Sequence, residues 1–379
     1  MIRPADSANK IEAAIIVCTY QRPRNLIACL SSIAAQTGVD EQFEVVVADD
    51  GSNDETPDLV SEFRRRAGFP VRFTTHRHEG FHPARCRNEG VLASNAPYLL
   101  FLDGDCVIPR DHVRNHLEQR RPQTVCGGDC FRLTEEQSDH LAGGVDRMES
   151  LERFVTLRER LRVTRNHLDA KLNWLLRNAS KPKLFAGNIG IWRRDLELVN
   201  GFDQKFLDWG GEDDDLRVRL IQAGLTIRSI RDRAHTYHLW HPPDPTVPAR
   251  WMDGCNAPYL WRRFRLTGCI DGLVKRRMED LSIRVRNGSR FQSLIAVGFP
   301  FLREPAAPGE RADVECLFLP GEEGFTGNAD CNLLILTAPV ARAPLDDAHV
   351  LVTDLTSVVF DSGPRFRMSE LHRIWDAIV

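Results

Sequence analysis

The sequence predicts an α/β fold: a parallel sheet covered by helices, with its ligand site beyond the carboxyl ends of the strands. Two observations predict it. Short apolar runs alternate with amphipathic helical stretches through the first hundred or so residues, the pattern of parallel strands joined by right-handed crossovers. The polar motifs come directly after those apolar runs, where such sheets bind ligands.

In chain order, "AAIIVC" (13–18) is short and wholly apolar, as a strand buried on both faces must be. "TYQRP" follows, and Pro23 suits the first turn of a helix. In "PRNLIACLSSIAAQ", Leu26, Ile27, Leu30, Ile33 and Ala34 fall on one helical face. "FEVVVA" (43–48) is a second buried strand, ending in the turn-and-cap sequence "DDGSNDET". "VRFTT" (71–75) reads as a third strand, "ARCRNEGVLAS" as a third helix and "APYLLFL" (96–102) as a fourth strand running into "DGDC". Residues 147–183 read as a helix rich in Arg and Lys, and 261–280 are similarly basic. Both suit either a solvated helical face or contact with an anionic membrane surface or an anionic acceptor. From about residue 283, "ADVECLFLPGEE", "CNLLILTAP" and "HVLVTDLTSVVF" are strand-like runs between turns. They form a β-rich C-terminal region (283–379) without a cluster of acids, histidines or glycines, expected to lie outside the catalytic centre.

Composition narrows the class. The 379 residues are 42% hydrophobic and 27% charged, with net charge -3 and a pI near 6.5, so nothing points to nucleic acid. No secretory leader is expected at the N-terminus and no run reaches the length of a membrane span. Ten cysteines are scattered, with Cys126 and Cys130 the one close pair and no zinc spacing. Reduced thiols and a cytoplasmic location, with peripheral contact at the inner membrane face through the basic helices, are the expectation.

Four stretches carry chemistry. Asp103-Gly104-Asp105 closes the fourth strand. Two carboxylates one residue apart can hold Mg²⁺ or Mn²⁺, or simply make a turn. "AHTYHLWHPP" offers His235, His238 and His241, and imidazole favours Mn²⁺ over Mg²⁺. "EGFHPARCRNEG" brings Arg85, Arg87 and Asn88 to the mouth of the third strand, either as a plain helix start or to meet a nucleotide base or phosphate. In "DWGGEDDDLRVRL", Leu216, Leu220 and Ile221 share a helical face, so Glu212, Asp213, Asp214 and Asp215 occupy the first turn. There the helix dipole favours an anion by only about half a kcal/mol. Capping accounts for one or two acids, and four imply sugar binding or a general base. Trp209 offers a flat face for a pyranose ring.

Together these motifs resemble the family 2 glycosyltransferases, carried by "TYQRP", "DDGSNDET", "RNEG" and "DGDC" in that order. "AGNIGIWRRDLELVNGFDQKFLDWGGEDDDLRVRL" (186–220) is similar to a segment of galactosyltransferases, including β-1,4-galactosyltransferases and bacterial chondroitin-polymerase-like domains. The resemblance covers roughly residues 13–245. It implies a GT-A fold over 1–282, with a nucleotide-binding half at about 11–130 and an acceptor and metal half at about 180–250. It also implies a UDP-sugar donor, Mn²⁺ (or Mg²⁺), a glycan or lipid-linked glycan acceptor, and inversion. Galactose or N-acetylgalactosamine is favoured, in bacterial surface polysaccharide synthesis. Site residues follow from the same resemblance. Asp213 is the catalytic base, and Asp103, Asp105 and His238 are metal ligands with His241 a rival. Thr19, Tyr20, Arg22, Asp50, Arg87, Asn88, Asp103, Asn188, Trp209, Gly211, Glu212 and Asp214 contact substrate. Three rivals are the same fold using UDP-GlcNAc or UDP-glucose, a non-catalytic sugar-binding module, which needs no base, and a nucleotidyltransferase, which would carry a glycine-rich loop where "CTYQRP" has none.

Overall fold

In the computed structural model, β1 (Ala13–Thr19), β2 (Phe43–Asp49) and β4 (Tyr98–Asp103) are buried almost throughout, because β-branched and aromatic side chains fill both faces of the sheet. The structure describes residues 11–39, 43–142, 155–176, 182–262, 265–277, 280–286, 311–319, 329–336 and 350–352, with residues 151, 153 and 326. β3 (Val71–Thr75) completes a parallel set in the order β3-β2-β1-β4. Its register puts Thr19 beside Asp49, and Cys18 beside both Ala48 and Asp103. One edge of the sheet therefore collects the polar ends of three strands.

Helices α1 (Pro23–Ala34), α2 (Thr56–Arg66) and α3 (Pro83–Leu92) return the chain between these strands, and each carries proline in its first turn. Leu26, Leu30 and Ile33 of α1 meet Val45, Val47 and Leu100 in the core. The chain continues through β5 (Cys106–Val107), α4 (His112–Gln119), β6 (Thr124–Gly127), β7 (Asp129–Arg132), α5 (Glu135–Ala142) and α6 (Leu157–Leu175). β8 (Asn188–Trp192), α7 (Arg193–Leu198), α8 (Glu212–Gln222), β9 (Thr226–Ser229) and β10 (His235–His238) follow.

The sheet is mixed, where the sequence pattern implied a parallel one. Its full order is β3-β2-β1-β4-β8-β6-β9, and β8 runs antiparallel to both neighbours, pairing Asn188 with Leu102. The chain thus enters β8 at the carboxyl end of β4 and carries residues 183–187 past the mouth of the sheet. A second sheet, β5-β10-β7, stands on the first. It packs Phe131, Leu133, Tyr237 and Leu239 against Ala28, Leu141 and Val163.

The basic stretch 147–183 is helical over α6, while residues 147–150, 152, 154 and 177–181 lie outside the described residues. The chain divides into compact units at Leu260/Trp261, whereas the change in sequence texture placed the boundary near 282. In the second unit, β11 (Ile283–Arg286), β12 (Ala312–Leu319), β13 (Ala329–Leu336) and β14 (Val350–Val352) form a parallel sheet in that order. Most of "HVLVTDLTSVVF" lies outside the described residues. Cys126 and Cys130 are both free and buried.

Candidate active site

Gly104 lets β4 end against β1: its backbone N–H donates to the Cys18 carbonyl at 2.7 Å, and a side chain there would meet that oxygen at 2.9 Å. The close approach turns Asp105 inward beneath β10. Its Oδ1 lies 3.5 Å from His238 Nε2, and its Oδ2 lies 3.2 Å from His241 Nε2 and 3.0 Å from Arg22 Nη1. His235 faces elsewhere, with Nε2 3.2 Å from the Tyr237 hydroxyl. Burial alone would raise the Asp105 carboxyl, but the His241 contact and the charges of His238 and Arg22 outweigh it. They hold the group well below the usual carboxylate range.

This donor set fits a divalent cation. His241 Nδ1 lies 2.7 Å from the Pro242 carbonyl, which can only accept, so Nδ1 carries the proton. The basic nitrogen, Nε2, then faces a carboxylate oxygen, and two acceptors at 3.2 Å need a proton or a cation between them. The Asp105 contact accordingly raises the imidazole's pKa. Asp105, His238 and His241 each offer a ligand atom within 4.8 Å of the others, and Asp103, Asp105 and Cys106 do likewise.

Asp103 is pulled the other way, upward, chiefly by burial, with Arg87 opposing. Arg87, expected at a base or phosphate, is buried between two acids: Nη2 is 3.2 Å from Asp103 Oδ1 and Nη1 is 3.0 Å from Glu212 Oε1. It joins the strand-end motif to the acid run. A contact spanning 125 residues of sequence leaves no local signal.

The four acids of the run part company. Asp215 forms a fully buried pair with Arg219, Oδ2 to Nε 2.6 Å, and that guanidinium also donates to the Val199 carbonyl. Asp214 faces Lys183 Nζ at 3.4 Å and Arg217 Nε at 3.5 Å. Glu212 takes Arg87 on one oxygen, while Oε2 is buried without a protein partner. Among the described residues Asp213 has no basic hydrogen-bond partner, and it accepts the Asp214 backbone N–H at 2.8 Å. Burial, then the charges of Glu212 and Asp214, push its carboxyl up to about 7.

Gly210 and Gly211 precede the helix at φ +93° and +99°, and added side chains would strike Trp251 and Phe206. Two glycines are needed for both the left-handed backbone and the space. They turn Trp209 outward, 43% exposed, edge-on to Trp251 at 6.2 Å. Asn256 clamps this loop, donating to the carbonyls of Leu207 and Gly210 at 2.6 and 2.7 Å. Trp251, Asn256 and Lys183 were missed in the sequence because each acts across the chain.

At the other end of the mouth, Tyr20 stacks on His78 with ring centroids 4.2 Å apart. Asp50 is buried, 2.8 Å from His76 Nε2, and accepts the His82 backbone N–H at 3.1 Å. Thr19 is buried beside it, its carbonyl accepting from Asp50 N. His76 and His78 had no motif to announce them. Asn88 and Asn188, expected to contact substrate, are both fully enclosed, with their amides engaged by the framework. Asn88 exchanges two hydrogen bonds with the Phe202 backbone. Asn188 donates to the Asp129 and Ala234 carbonyls and lies 2.9 Å from His116 Nε2.

The same regions match known families. Residues 14–178 match "Glycosyl transferase family 2", and residues 166–242 match "N-terminal domain of galactosyltransferase". The validoxylamine A glucosyltransferase of Streptomyces hygroscopicus subsp. limoneus is 30% identical over 58% of this chain and 50% of its own. The uncharacterized glycosyltransferase YfnE of Bacillus subtilis is 29% identical over 61% and 66%, and the chondroitin synthase of Escherichia coli 24% over 66% and 39%. The chain thus spans about half the length of the first of these. The solved mannosyltransferase of Pyrobaculum calidifontis, in complex with GDP-Man and Mn²⁺, has 19% identity and a TM-score of 0.43 over 66% of this chain and 62% of that one. The two matches together span residues 14–242, most of the compact unit that holds the site, and over that span the chain is similar to glycosyl transferase family 2 followed by a galactosyltransferase domain.

Proposed function

We propose that this chain transfers a hexose from a UDP-sugar to a hydroxyl of a glycan acceptor, with inversion at the anomeric carbon. The observation that carries the reading is the ion-pair chain Asp103–Arg87–Glu212, which ties two kinds of carboxylate together. At one end it adjoins the carboxylate–imidazole cluster of Asp105, and at the other Asp213, whose carboxyl is raised to about 7. A binding module has no use for the second.

Asp105, His238 and His241 would hold Mn²⁺ (or Mg²⁺), with Asp103 beside them. When bound, such a cation offsets charge on the donor's phosphates and eases departure of UDP. Tyr20 and Asp50 would receive the uracil and ribose, with His78 already stacked where a base would lie. Trp209 and Trp251 would seat the acceptor ring, and the free oxygen of Glu212 would accept a sugar hydroxyl. Asp213 then takes the acceptor's proton as its oxygen attacks. One bond forms from that oxygen to the anomeric carbon while the bond to phosphate breaks, and the electron pair leaves on UDP. A single displacement inverts the centre and needs no covalent intermediate.

The galactosyltransferase-like segment favours UDP-galactose or UDP-N-acetylgalactosamine. The likeness to a glucosyltransferase favours UDP-glucose instead. Mn²⁺-dependent UDP release across a set of UDP-sugars separates these readings. No release from any donor, by protein that binds UDP, would leave a binding module.

A further inference from the structure

α6 covers the second sheet with one face and leaves the other bare. Its inner side is spoken for: Val163 packs with Phe131, Leu133 and Tyr237, and His167 and Ala170 are buried. Its outer side carries Leu157, Leu161, Leu168, Leu172 and Leu175, continued by Leu176, all between 54% and 72% exposed. At 3.6 residues per turn these leucines form one stripe along about 28 Å of helix. The same geometry sets Arg158 and Arg165 along one border of the stripe and Arg160 and Lys171 along the other, with Asp169 the acid among them. Six exposed leucines in one stripe exceed the scattered apolar residues of an ordinary surface.

We propose that α6 lies flat on an anionic lipid surface, its leucines in the acyl boundary and its bordering cations among the headgroups. Charge decides the occupant. A second copy laid on the stripe would bring its own basic borders against these, whereas anionic headgroups complement both. Among the described residues no helix is long and apolar enough to cross a membrane, so the helix rests on the surface rather than spanning it. Because α6 backs the sheet that carries His238, such docking would hold the mouth at a fixed height above the lipid. The inference is independent of which sugar or acceptor the site takes.

Flotation of the full chain with vesicles tests it, comparing phosphatidylcholine alone with phosphatidylcholine containing about one-third phosphatidylglycerol. Binding to the anionic vesicles that fades in high salt is expected. The double variant Leu161→Glu/Leu168→Glu should lower the bound fraction by roughly tenfold or more, with circular dichroism and melting unchanged. Arg158→Gln/Arg165→Gln/Lys171→Gln should remove the preference for phosphatidylglycerol, a check that survives poor folding of the first variant. Wild-type protein that stays off both vesicles, or leucine and wild-type proteins that float alike, would overturn the proposal. So would a wild-type dimer in light scattering that the leucine variant splits, which would assign the stripe to a second copy.

Discussion

Asp105 and Asp213 are the same side chain at the two ends of the chain of contacts through Arg87, driven in opposite directions. Both are pushed up by burial. Around Asp105 stand Arg22, His238 and His241, whose contacts and charges outweigh that push. Around Asp213 stand Glu212 and Asp214, which add to it, with Arg87 the opposing charge. A carboxylate that keeps its negative charge suits a cation, and one that readily takes a proton suits a base. The contrast supports the roles proposed for the two residues, which the residue type alone does not distinguish.

The largest effect that tests this contrast is at Asp105. Asp105→Ala should abolish both Mn²⁺-dependent UDP binding in calorimetry and transfer. Normal UDP affinity with Mn²⁺ present would detach the cluster from the donor.

At Asp213 the expected effect is confined to chemistry. Asp213→Asn should bind UDP and Mn²⁺ as wild type does while transfer falls by roughly 10²-fold or more. In wild type, transfer should rise with pH and level off above about 7, where the carboxyl is ionised. Stability should run the other way. The native carboxyl holds a proton that the unfolded chain releases near pH 4, so the native state binds more protons between those values and loses stability as pH rises through about 7. The Asn variant should therefore melt higher than wild type at pH 8, with the gap closing by pH 5. A variant transferring sugar at the wild-type rate would leave the acid run as a helix start.

Histidine substitutions sharpen the other side of the comparison. His238→Ala and His241→Ala should each weaken Mn²⁺ binding by roughly tenfold or more, and His235→Ala should leave it unchanged. Titration of the metal into the three proteins decides, and a His235 effect equal to the others would move the cluster. For His241, a proton competes with the metal for Nε2, so affinity should climb with pH as that proton leaves.

How much of this was legible follows from distance along the chain. β1 to β4 and their helices were readable because each is a local pattern of burial or spacing. Asp103-Gly104-Asp105 was readable because a strand end fixes where its polar residues point. Asp215 could have been set apart from its neighbours, since Arg219 lies one helical turn on. Arg87 could not: its partners Asp103 and Glu212 lie on a strand end and a distant helix. The antiparallel insertion of β8 and the short strand β5 likewise depend on pairings between remote segments. Asn88 and Asn188, named as substrate contacts from their motifs, use their side chains on the framework in this structure.

Asp214 gives the smallest and most discriminating test. It lies next to Asp213 in the chain, and Lys183 and Arg217 hold its carboxylate in place, where it can accept a hydroxyl. The pair with Lys183 is largely exposed and contributes little to stability. Although Arg217 is buried, an Asn amide oxygen can still face it, so Asp214→Asn should fold with at most a small loss in melting temperature. Losing one hydrogen bond to the acceptor should raise its apparent KM by about threefold to tenfold with kcat nearly unchanged, the signature of binding shared by ground and transition states. Removing a neighbouring charge should also ease ionisation of Asp213 and move the rising limb of the pH profile slightly lower. Initial rates against acceptor concentration at several pH values measure both. A kcat loss as deep as that of Asp213→Asn would mean that the base had been assigned to the wrong member of the pair.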